Sequence, residues 1–95
     1  MLIKARQIRA ARALIGLTQR EMATLLRVSE PTLKRIESDD WGPARSAAGT
    51  IAAIQGLLEE RGVRFLPPGP EGGEGVRLVE PGPPDGSRDR GRSTD

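Results

Sequence analysis

The residues best suited to chemistry lie close together in a 95-residue chain, within 19–38. At 100° per residue, Pro31, Lys34, Arg35 and Ser38 share one face of a short helix, with Glu30 at its N-terminal margin. Such a face is polar, carries two cations and no aromatic ring, and suits non-covalent contact with phosphate oxygens and base edges. A plain solvated helix with an i,i+4 Glu30–Lys34 pair is the competing account. Covalent chemistry has little to work with. The chain has no His, Cys or Tyr, which removes the commonest general base, thiol chemistry and most metal sites. Its paired carboxylates, Asp39-Asp40 and Glu59-Glu60, are sequence neighbours that point apart on a helix or lie in a turn. No nucleophile–base set can be assembled, so the expectation is a non-enzyme with no cofactor and no metal.

Two short helices must position that face. Thr18 is a suitable N-cap, and Glu21 three residues later completes a capping box. Met22, Ala23, Leu25 and Leu26 follow at helical spacing, predicting a helix over 18–26. Arg27-Val28 is the turn, Ser29 caps a second helix over 29–37, and Pro31 sits in its first turn, where a missing N–H costs nothing. Leu33 and Ile36 point inward, and the small Ala23 lets two steeply crossing helices approach. This is the layout of a helix-turn-helix, which places its second helix in the major groove. Before it, Ile8, Ala11, Leu14 and Ile15 predict a first helix over 4–15, stopped by Gly16, with Leu17 folding back over the core.

Arg12, Gly16, Leu17, Thr18-Gln19, Ala23, Leu26, Val28-Ser29, Leu33, Ile36 and Glu37 together resemble the lambdoid repressor/Cro type of helix-turn-helix, the XRE family. The resemblance covers about two-thirds of the chain and implies a compact all-α fold of four helices. It further implies that Gln19, at a helix N-terminus, contacts a DNA phosphate. Glu30, Pro31 and Arg35 occupy base-reading positions, and Lys34 reaches bases or backbone. Arg12 and Glu37 match an architectural ion pair rather than a DNA contact. With Arg20, Arg27, Ser29, Thr32 and Ser38 alongside, Gln19, Glu30, Pro31, Lys34 and Arg35 form the expected DNA-binding set.

The chain departs from the family pattern twice. Arg27 stands where the turn usually has Gly and must adopt a left-handed or adjusted conformation; it is also placed to touch phosphate. Asp39-Asp40 at the end of the second helix oppose its dipole and repel phosphate, so that loop is expected to turn away from DNA. Pro31 offers only apolar contact and Glu30 accepts only from cytosine N4, so the base code is not legible. Trp41, the single Trp, is expected foremost to plug the core; a dimer contact and a flat surface against DNA sugar are the alternatives.

A last helix is predicted over 46–61, capped by Ser46 or Thr50, with Ala47, Ile51, Ile54, Leu57 and Leu58 inward and Gly62 as the stop. The period then changes. Val63–Leu66 and Val76–Val79 alternate as strands, and a Pro/Gly-rich loop between them permits an antiparallel hairpin that must pack on the helices or on another subunit. The Gly cluster lacks the Lys-Ser/Thr and the strand-to-helix context of a nucleotide site. From Glu80 onward the sequence predicts a disordered tail. The expected organisation is a helix-turn-helix domain over 1–62, a β-hairpin extension over 63–79 and the tail over 80–95.

Charge is uneven. Residues 1–37 hold eight Lys/Arg and three acids, so +5 of a total of +2 falls there and −3 in the remainder. A basic first half suits a polyanion, although scattered Arg also simply solvates helix faces. No segment reaches the roughly 18 apolar residues of a membrane span, and no secretory leader is apparent, so a cytoplasmic chain is expected. The function expected is a sequence-specific double-stranded DNA-binding transcriptional regulator, a repressor acting as a homodimer. The alternative is an antitoxin or other protein-interaction module that covers a toxin or similar partner and autoregulates through the same helices.

Overall fold

The computed structural model describes residues 2–79. Four helices are followed by two strands: α1 (Ala5–Ile15), α2 (Gln19–Leu26), α3 (Glu30–Ile36), a 3-10 turn (Pro43–Arg45), α4 (Ala48–Glu60), β1 (Val63–Leu66) and β2 (Gly75–Leu78). The tail expected over 80–95 lies outside the described residues.

Local signals set the helix ends. Gly16 takes the left-handed conformation (φ 69°) that closes α1, and the Leu17 N–H returns to the Arg12 carbonyl. At the start of α2 the capping box forms in full: the Glu21 N–H donates to Thr18 Oγ1 at 3.0 Å, and the Thr18 N–H donates to Glu21 Oε1 at 2.9 Å. Ser29 Oγ accepts from the Thr32 N–H at 3.1 Å to open α3. Arg27 adopts the left-handed conformation its position demands (φ 60°), the one described non-glycine residue to do so.

The core gathers Ile8 and Ala11 from α1, Met22 and Ala23 from α2, Leu33 and Ile36 from α3, and Ile51, Ile54 and Leu58 from α4. Ile3 and Ala5, ahead of the expected α1 stripe, are buried as well. Three residues of the expected stripes are not inward: Leu14, Leu25 and Ala47 are exposed. The last helix starts at Ala48, between its two candidate caps. Ser46 and Thr50 do not cap it; Ala47 is its uncapped, exposed N-cap, and Ser46 Oγ donates to the Gly42 carbonyl. Ser46 instead ends the 3-10 turn begun by Pro43.

The hairpin forms with antiparallel register Val63↔Leu78, Arg64↔Arg77, Phe65↔Val76 and Leu66↔Gly75. It packs on α1, and Val63 and Phe65 join the same core as the helices. The expected four helices and the hairpin after them are both present, and the small sheet closes the core. One buried polar residue secures it. Gln7 Nε2 donates to the carbonyls of Gly75 (2.9 Å) and Leu66 (3.3 Å), while Gln7 Oε1 accepts from the Lys4 N–H at 2.8 Å. An Arg6–Glu74 ion pair covers the edge of this contact.

Candidate nucleic-acid interface

α3 is fixed from its inward side. Leu33 and Ile36 anchor it in the core, and Glu37 at its C-cap is buried although ionisable. That burial is tolerable because Glu37 is fully served. Arg12 forks onto it, Nε to Oε2 at 2.7 Å and Nη2 to Oε1 at 2.8 Å, and Gln19 Nε2 donates to Oε1 at 3.0 Å. A single carboxylate thus ties α1 and α2 to the end of α3. Arg9 adds a second tie, donating to the Glu37 carbonyl and pairing with Asp39 at 3.3 Å. Its cation offsets the acidic end that opposes the α3 dipole.

The candidate residues divide into two groups. Glu30, Pro31, Lys34 and Arg35 are exposed on α3. Among the described residues, Lys34 and Arg35 make no ion pair, and Glu30 lies 3.9 Å from Arg20 of α2 rather than on Lys34. Arg20 is exposed, as is Arg27 in the turn before α3. The other residues serve the scaffold. Ser29 Oγ is the cap and also donates to Thr32 Oγ1 at 2.8 Å. Ser38 Oγ donates to the Arg35 carbonyl at 2.8 Å and accepts from the Trp41 N–H at 3.1 Å, so it builds the turn after α3. Gln19 is half-buried, with one amide N–H on Glu37 and a second left for another acceptor.

Trp41 is not a core plug. It is 38% exposed, with the guanidinium carbons of Arg45 and Arg35 at 4.5 and 5.6 Å from its ring centroid. Sequence reasoning missed Arg45, which belongs to no periodic stripe. It also missed Arg9, which bonds the Glu37 carbonyl 28 residues away, and Gln7, which reaches the strand carbonyls of Leu66 and Gly75.

A helix held from behind, with a polar outward face and a capped helix and tight turn before it, defines a helix-turn-helix domain. Comparison with protein families agrees: residues 4–62, more than half the chain, match the helix-turn-helix domain family, to which this protein belongs. Neither curated proteins nor solved structures gave a match. No helix among the described residues is long and apolar enough to cross a membrane.

Proposed function

We propose that this chain is a sequence-specific, double-stranded DNA-binding transcriptional regulator of the XRE type, a repressor that acts without catalysis in the cytoplasm. The observation that carries this reading is the pair Lys34 and Arg35, exposed on α3 with no ion pair among the described residues, on a helix immobilised by Arg12, Gln19 and Glu37. α3 enters the major groove, Arg35 and Lys34 donate to base edges or phosphates, and Gln19, Arg20 and Arg27 fix register on the backbone. One such helix gives a small interface, so a homodimer on a two-fold operator supplies the affinity.

Selection of bound DNA from a random duplex pool tests this, with Lys34→Ala/Arg35→Ala alongside. The expected result is a palindrome with half-sites about one helical turn apart, enriched by the wild type and lost in the variant. No enrichment at moderate salt by the wild type overturns the reading and favours a protein-interaction module such as an antitoxin.

A further inference from the structure

Six arginines of the described chain are held in two different ways. Arg6, Arg9, Arg12 and Arg20 each face a carboxylate: Glu74, Asp39, Glu37 and Glu30 respectively. Arg35 and Arg45 instead lie over the Trp41 indole. Asp40 is close in sequence, yet Arg45 Nη1 donates to its backbone carbonyl at 3.3 Å and forms no ion pair with its carboxylate among the described residues. The distinction matters electrostatically. A carboxylate that orders an arginine also cancels its charge and repels an incoming phosphate or base acceptor. An indole face orders the guanidinium by cation–π attraction and leaves the full positive charge available.

The loop that carries the indole is built around Arg35 itself. The Arg35 carbonyl accepts from Ser38 Oγ at 2.8 Å, from the Ser38 N–H at 3.2 Å and from the Gly42 N–H at 3.3 Å. Ser38 Oγ in turn accepts from the Trp41 N–H. Gly42 reaches this position with φ 74°, a conformation that favours glycine. The position of the indole is therefore referenced to the backbone of the residue whose side chain it supports.

We infer that Trp41 is a positioning residue for sequence readout: it holds the Arg35 guanidinium ordered and uncompensated, ready for a base-edge acceptor in the major groove. This rests on the DNA-binding reading above and adds a specificity determinant outside α3. Ordering Arg35 before docking lowers the entropy lost when it engages a base, so Trp41 acts on discrimination between sequences rather than on contact with phosphate.

The test is a double-mutant cycle on the selected duplex. Wild type, Trp41→Leu, Arg35→Ala and the double variant are titrated against that duplex, and against one changed at the base pair whose preference is lost in Arg35→Ala. Trp41→Leu is expected to lower the ratio of the two affinities about fivefold. In the Arg35→Ala background the same change should have no further effect, and Trp41→Phe should restore most of the ratio. Equal loss on both duplexes, or an equal effect with and without Arg35, overturns the inference while leaving the regulator reading intact. A wild type that selects no duplex overturns both, and that control is read first.

Discussion

Arg12 and Glu37, 25 residues apart in sequence, meet as a two-pronged ion pair in which the Glu37 side chain is almost wholly buried. Removing one partner leaves the other as an uncompensated buried charge. Arg12→Met or Glu37→Met alone is expected to cost about 3–5 kcal/mol of stability. The double replacement should recover much of that, since two apolar side chains need no counter-charge. Urea denaturation of the three variants checks this; a double variant as unstable as the sum of the singles would refute it.

Arg27 holds a left-handed conformation that glycine adopts without penalty. Arg27→Gly is expected to stabilise the fold by about 1 kcal/mol, or to raise Tm by several degrees. If Arg27 also meets a phosphate, the same variant binds DNA with a salt dependence shallower by about one ion. Thermal denaturation and a salt titration of binding read the two effects separately.

Gln7 satisfies two strand carbonyls and one helix-start N–H from a buried position. Gln7→Leu keeps the bulk and loses all three bonds, so a loss of about 1–3 kcal/mol is expected. Amide exchange should accelerate first in Val63–Leu66 and Gly75–Leu78, before the helices respond. Uniform acceleration across the chain would show that the hairpin is not secured locally.

Among the described residues, the carboxyls of Glu21 and Glu74 are held below their ordinary value of 4.5. Glu21 is lowered chiefly by the Thr18 backbone N–H and then by the Thr18 hydroxyl, and Glu74 by its own backbone N–H and then by Arg6. Because the folded values are depressed, the stabilisation is fully present above the unfolded value and is lost as pH falls through the folded values. Tm should therefore decline from about pH 4.5 downward, and Glu21→Gln or Glu74→Gln should each flatten that decline. An unchanged acid limb in both variants would contradict the assignment.

Much of the helix-turn-helix is legible in the sequence because its determinants are local. Thr18 with Glu21, Ser29 with Thr32, and Gly16 each act within three residues or so, and Leu33 and Ile36 follow helical period. The hairpin's strands are equally visible, but the choice between packing on the helices and on another subunit is not, since it depends on Gln7 and on Phe65 meeting α1 across the chain. Leu14 and Leu25 show the limit of periodicity: an apolar residue at the stripe's edge is buried only if another element arrives to cover it. Trp41 marks the same limit from the other side. Scarcity of aromatics argued for the core, while the loop geometry around the Arg35 carbonyl decides for the surface. Within the candidate site, exposure of Lys34 and Arg35 follows from helical phase, whereas the inward engagement of Gln19 and Ser38 depends on partners that phase cannot supply.

Every strong attachment of α3 is made through its buried side or its ends: Leu33 and Ile36 below, the Ser29 cap in front, and Glu37 with Arg12, Gln19 and Arg9 behind. Positions 30, 31 and 34 take almost no part in that framework. The outward face therefore behaves as an exchangeable cassette. Its side chains can be exchanged without disturbing the frame beneath, so what this face touches and how the helix is held are set by separate residues.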